Sequence, residues 1–203
     1  MTAHTLDRRA APRVSLRPLQ EADADRIRQW MREPDLVRFT VLVPGPEYAV
    51  DGVATPEATE RYIEQLLKDP RRLSFAILWD GQHVGNIGLK DYQHGRAEAE
   101  CFIEIGVTHL RGQGIGRKSM DLLLEHCFDR LRLEGVRLGV FDFNVGAIRL
   151  YRGLGFSNTG RYGWHWCDGR YHEVMGMRLS RVAWERARLH GWRPRTLSWS
   201  RHS

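Results

Sequence analysis

The chain has 203 residues, 42% of them hydrophobic, and a formal net charge of +6; it holds enough apolar material for one good core and is most simply a single domain. No run approaches the roughly 18 to 20 apolar residues of a membrane span, and the N-terminal "MTAHTLDRRAAPRV" has no apolar signal-peptide centre, so a cytoplasmic protein with no membrane partner is expected. Cys101, Cys127 and Cys167 are odd in number and not closely paired, which fits reduced thiols better than a disulfide frame or a zinc knuckle, and no metal is expected.

In chain order, residues 1–12 read as an N-terminal extension. "RVSLRPL" (13–19) reads as a strand, and "QEADADRIRQWM" (20–31) as a helix with Ile27, Trp30 and Met31 on one side. Residues 33–54 contain three prolines and two glycines without a stable period and read as a long loop. "TPEATERYIEQLLKD" (55–69) opens with Thr55 as N-cap and Pro56 at the first helical position, and Tyr62, Ile63, Leu66 and Leu67 repeat at helical spacing. Three strands follow, 74–80, 83–92 and 97–107, with turns at Asp80-Gly81 and His94-Gly95.

The last of those strands runs into "VTHLRGQGIGRKSMDLLLEHCF" (107–128), a glycine-studded turn that opens an amphipathic helix. Next come a buried strand (136–143), a short helix in "NVGAIRLYRGLG" (144–155) with Asn144 as cap, and a hairpin (156–179) turning at Asp168-Gly169. From Ser180 to Ser203 six arginines stand against one acid, Glu185. That tail supplies nearly all of the net charge, so the body is close to neutral and nucleic acid is not an expected partner. Trp184, Trp192 and Trp199 in the tail either meet an acidic partner or dock back on the domain, and docking back is the simpler reading.

A strand that ends at a helix N-terminus offers free backbone N–H groups and a favourable dipole, which together make an anion site. Gly112, Gly114 and Gly116 let a phosphate approach that backbone, whereas a mere corner needs one glycine. The dinucleotide fingerprint fails because Arg117 stands where its last glycine belongs. The nucleoside-triphosphate loop fails because Arg117 precedes Lys118-Ser119.

Arg111-x-x-Gly114-x-Gly116, placed between "FIEIGV" and a helix, resembles the acyl-CoA-binding motif of the GNAT superfamily of N-acetyltransferases. A second segment, "NVGAIRLYRGLGF" (144–156), is similar to that family's Asn-x-x-Ala-Ile-x-Leu-Tyr-x-x-x-Gly-Phe stretch. The order of elements agrees from Arg13 to Leu179. The resemblance implies an α/β (α+β) fold, a mixed and mostly antiparallel sheet of about seven strands flanked by about four helices. It also implies an N-acetyltransferase domain over 13–179, followed by an Arg/Trp-rich tail over 180–203. Within the superfamily, the long loop after the first helix and the ending "CDGRYHEVMGMRL" are similar to the branch of ribosomal-protein N-terminal and spermidine acetyltransferases.

The resemblance implies acetyl-CoA as co-substrate and a primary amine as acceptor: a protein N-terminus, an aminosugar or a polyamine. It implies that pantetheine pairs with Ile105, Gly106 and Val107, and that a backbone N–H near Val107 polarises the thioester. Pyrophosphate is expected on Arg111, Gly112, Gln113, Gly114, Ile115, Gly116 and Arg117, and CoA or nearby backbone on Asn144. Tyr151 is the expected general acid. Glu100 and Glu104, four apart on one strand face, are candidate bases. Cys101 should face the other way, which favours direct transfer over a cysteine intermediate.

Glu33, Asp35, Glu47 and Asp51 in the loop, with Glu100, Glu104 and Glu173, predict a carboxylate-lined pocket for a cationic amine. His165 and His172 are further candidates for its wall. A homodimer is left open. The competing reading is a non-catalytic acyl-CoA-binding or interaction module that uses the basic, Trp-bearing tail.

Overall fold

The computed structural model describes residues 14–39, 49–50, 53–93, 95, 97–167 and 170–189. Strand β1 (Val14–Pro18) buries Val14 and Leu16 by alternation and pairs antiparallel with β4 (Leu73–Trp79). β4 turns at Asp80-Gly81 into β5 (Gln82–Lys90), and both turn residues take positive φ, as a two-residue hairpin requires. β6 (Glu98–Ile105) adds antiparallel to β5. The order β1-β4-β5-β6-β7-β9-β8 is completed by β7 (Gly135–Phe141), β8 (Ser157–Cys167) and β9 (Arg170–Ser180). β6 and β7 are the one parallel pair in this seven-stranded sheet.

Helices cover both faces. On one side lie α1 (Ala24–Trp30), α2 (Pro34–Val37) and α3 (Pro56–Lys68). Their core joins Ile27, Trp30, Leu36, Tyr62, Ile63 and Leu66, with Phe102 of β6 packed against it. α3 starts where expected: the Thr55 hydroxyl accepts from the Ala58 N–H at 3.2 Å, with Pro56 at the first position. On the other side α4 (Ile115–Glu125) and α5 (Val145–Gly153) close a larger core around Met120, Leu123, Phe128, Ile148 and Leu179.

Two expectations change. Residues 33–54 are not loop throughout: Pro34 starts α2, which sinks Leu36 and Val37 into the core, and β2 (Ala49–Val50) pairs with β3 (Val53–Ala54). The prolines and glycines there masked these short elements. The tail begins as helix α6 (Arg181–Leu189), so the described part carries six helices rather than about four. Trp184 is buried against Phe128 at 4.9 Å between ring centroids, a burial worth roughly 1.5–3 kcal/mol for a large apolar side chain. Arg181 donates to the carbonyls of Phe128 and Leu133 at 2.9 and 2.7 Å, capping the π-helical turn His126–Arg130 that ends α4. Trp192, Trp199 and the turns at 94 and 168–169 lie outside the described residues. Among the described residues no helix is long and apolar enough to cross a membrane, and no three His, Cys, Asp or Glu side chains converge on a metal position.

Candidate active site

β6 and β7 pair only from Glu98↔Gly135 to Glu100↔Arg137 and then separate. β5 continues to hold the other edge of β6 as far as Gly85↔Ile105. The backbone of 101–105 therefore has no strand partner on its β7 side, and a cavity of about 610 Å³ opens between the two strands. That size lies within the range of small-molecule sites. Its lining brings together the glycine turn and α5 with Tyr62, Arg72, Phe102 and Glu104.

The turn explains its own glycines. Gly112 (φ 77°) and Gly114 (φ 82°) sit in left-handed backbone with no atom within 4 Å of an added Cβ, so conformation rather than space demands them. Gly114 is the N-cap of α4, whose first-turn N–H groups lack intrahelical partners. Gly116 adopts ordinary helical backbone; a Cβ would make only normal contact with Leu150 at 3.6 Å, so the space it leaves belongs to the cavity.

Side chains near the turn are more committed than the sequence implied. Arg111 reaches back, not outward: Nε and Nη2 donate to the Ile105 carbonyl at 3.1 and 3.0 Å, and Nη1 to that of Asp35 at 2.9 Å. Arg117 pairs with Asp121 at 3.3 Å, and burial raises the Asp121 carboxyl to about 6. The N–H groups of Gly106 and Val107 both donate to the Val84 carbonyl, at 2.9 and 3.2 Å. The Val107 N–H is thus turned toward β5 and away from the opening. Gly106 lies under the Trp30 indole, and Gln113 is exposed with its amide on the His109 carbonyl at 3.1 Å. Ile115 is buried in the core. Ile105, Arg111, Gly112, Gly114, Gly116, Arg117 and Asn144 line the cavity, whereas Gly106, Val107, Gln113 and Ile115 do not. The Asn144 side chain accepts from the Ala147 N–H at 3.2 Å and so caps α5.

Of the three carboxylates of β6, Glu98 pairs with Arg178 while Glu100 and Glu104 reach the cavity, in different surroundings. Glu100 is buried, ion-paired with Lys90 at 2.6 Å and hydrogen-bonded by the Tyr162 hydroxyl. Glu104 accepts from Asn86 Nδ2 at 2.6 Å, and desolvation pushes its pKa up. Behind Asn86, its Oδ1 faces His83 Nε2 at 2.9 Å, and His83 Nδ1 lies 3.2 Å from Asp23, which Arg17 holds at 2.6 Å. Burial pushes the His83 pKa down, against the pull of Asp23.

Tyr151 is buried in α5, lines the cavity and packs on Phe156 at 5.8 Å; burial raises its phenol, which keeps it protonated at neutral pH. Cys101, expected to face away from the site, is on the opposite face of β6 from Glu100 and Glu104 but does touch the cavity; it is buried, and desolvation lifts its thiol to about 12, leaving almost no thiolate.

The carboxylate-lined acceptor pocket does not assemble among the described residues. Glu33 and Asp35 are exposed and not among the cavity-lining residues, and Glu173 pairs with Arg161 at 3.5 Å. Glu47 and Asp51 lie outside the described residues, as does the His165 side chain. His172 is buried against Phe143 at 4.5 Å, outside the cavity lining. Sequence reasoning missed Tyr62, Arg72 and Lys90 in the wall and Asn86 behind it. Asn86 alone left a signal, a polar residue among the apolar ones of "VGNIGL".

The Acetyltransferase (GNAT) domain family model matches residues 13–157. A spermidine N(1)-acetyltransferase of Escherichia coli (strain K12) is 27% identical over 151 residues, covering 74% of this chain and 76% of that protein. An L-amino acid N-acetyltransferase of the same strain is 25% identical over 148 residues, covering 72% and 85%. The structure of a Vibrio cholerae spermidine N-acetyltransferase in complex with CoA and spermine superposes with a TM-score of 0.71 at 20% identity, covering 85% of this chain and 98% of that one, a likeness of fold.

Proposed function

We propose, from the premise that this chain belongs to the GNAT acetyltransferase family and transfers the acetyl group of acetyl-CoA to an amine, that transfer is direct, with Glu104 as base and Tyr151 as acid. The observation that carries this reading is the parting of β6 and β7 after Glu100 and Arg137, with Glu104 and Tyr151 both lining the opening. The open β6 edge supports a pantetheine-like arm laid in as a partial strand. The N–H groups at the start of α4 support the pyrophosphate, since Gly116 leaves them uncovered.

In the reaction the acceptor nitrogen attacks the thioester carbon, the C–N bond forms and the C–S bond breaks. Glu104 takes the proton lost by nitrogen, a role its raised pKa favours at neutral pH. Tyr151 gives a proton to the departing sulfur. Val107 is engaged with Val84, so the donor to the developing oxyanion is sought on the unpaired β6 edge. Cys101, buried and protonated, has no part.

The acceptor is a small primary amine; the relatives' names span polyamines and amino acids. A binding-only module is the weaker reading, because Trp184, the described tryptophan of the tail, is spent on packing. The test is thiol release from acetyl-CoA by the purified chain across an amine panel, with the acceptor's gain of one acetyl group read by mass. Release that depends on an amine and collapses in Tyr151→Phe supports the reading, and thiol release with no amine dependence opposes it.

A further inference from the structure

Two ion pairs that reach the cavity lining are unequal. Lys90 and Glu100 neutralise each other at 2.6 Å. Arg72, just before β4, has only a loose ion-pair partner, Asp69, which Arg71 also holds. Its side chain is 9% exposed; Nη2 donates to Gln65 at 3.2 Å, but Nε stands 3.9 Å from Asp69, too far for a hydrogen bond. Nε and Nη1 are both buried without a hydrogen-bond partner, and the buried Tyr62 hydroxyl beside them has the Glu104 carboxylate within reach.

Buried donors left idle are rare in folded proteins and costly unless a ligand or water completes them. Both side chains line the cavity, and the Arg72 guanidinium is held over the Phe102 ring at 5.8 Å, on the β6 face that carries Glu104.

We propose that the acceptor is an amine that also carries a carboxylate, as an α-amino acid does, with Arg72 and Tyr62 binding the carboxylate while Glu104 faces the amine. A planar guanidinium matches a carboxylate better than any other side chain. Tyr62 lies close enough to both Glu104 and Arg72 to feel the two charges, so the anion subsite adjoins the base. An α-amino acid separates its amine and carboxylate by one carbon, which suits that adjacency. A polyamine would bring several positive charges beside Arg72, where the two lining carboxylates already face cations, Glu100 with Lys90 and Glu104 with Arg111.

This inference rests on the amine-acetylation reading. Several L-amino acids, each with its carboxamide and with the amine lacking that carbonyl carbon, are compared with spermidine as acceptors of the full chain, by thiol release. The expected kcat/KM for at least one amino acid exceeds that for its carboxamide by about tenfold or more, as a charge-assisted bidentate contact warrants. Amine ionisation works against this order, because the carboxamide is less basic and more of it is neutral.

Arg72→Gln should bring the ratio down to near one, Arg72→Lys should keep part of it, and Tyr62→Phe should lower it less. CoA affinity by calorimetry checks the fold of each variant, and should Arg72→Gln not fold, the wild-type ratio and Tyr62→Phe decide. A wild type that acetylates spermidine or carboxamides as well as the acids, or an Arg72→Gln variant that keeps the preference, overturns the inference while amine acetylation stands. Thiol release with no acceptor of any class overturns both.

Discussion

Replacing Asn86 by leucine, close to it in volume, should shift the acidic limb of the pH profile upward. Asn86 is fully buried directly across from Glu104 in the β5–β6 register, and its Nδ2 gives that carboxylate a 2.6 Å hydrogen bond. Burial raises the Glu104 pKa, and the Asn86 bond is the largest force pulling it back down. A hydrogen bond to a charged group is worth about 1.5–3 kcal/mol. At about 1.36 kcal/mol per unit, losing it moves the carboxyl up by roughly one to two units.

The base must be ionised to accept a proton, so rate is lost as pH falls through the Glu104 pKa. A higher pKa therefore carries the limb to higher pH and leaves the region above it flat. The assay is kcat/KM against pH with a weakly basic amine that stays neutral throughout, since that ratio reports groups of the free enzyme. A limb that stays in place, in a variant that binds CoA like wild type, would show that Glu104 is not the titrating base.

Tyr151→Phe should lower kcat by about 10²- to 10⁴-fold and leave CoA affinity nearly unchanged, because the ring still packs on Phe156; stopped-flow turnover and calorimetry separate the two. Gly116→Asp should weaken CoA binding by at least about tenfold by setting a negative charge on the α4 N-terminus. Arg111→Ala should instead lower the melting temperature, since its donors hold the Ile105 and Asp35 carbonyls. Asp121, raised to about 6, contributes stability at low pH that is lost as pH rises through that value. Asp121→Asn should thus gain more over wild type at pH 8 than at pH 4, by about 1–2 kcal/mol after screening by Arg117 and solvent, read by thermal melts at the two pH values.

Local signals carried much of the fold. The Thr55 and Asn144 caps, the Asp80-Gly81 hairpin and the glycine turn each rest on a few neighbouring residues, and each is found where the sequence puts it. Alternation placed Glu100 and Glu104 on one face and Cys101 on the other. It could not say that Lys90 neutralises Glu100 while Asn86 serves Glu104, because those partners come from the register of another strand. The opening at the end of β6 was read only through the family resemblance, at Ile105 to Val107, and its start after Glu100 was not, since a parallel pair that stops after three residues has no local period. Tyr62 read as one more apolar position of α3, and Arg72 as one of two adjacent arginines after it. Arg111 looked like a phosphate ligand because motif spacing does not record which way a side chain turns.

Direct transfer is tested most sharply by mixing stoichiometric enzyme and acetyl-CoA, quenching rapidly, and measuring free thiol and intact protein mass before and after an accepted amine is added. The account predicts no thiol and no acetylated protein until the amine arrives, then one thiol per acetylated amine. A burst of one thiol per enzyme with an acetyl group on the protein would contradict it and show a protein nucleophile.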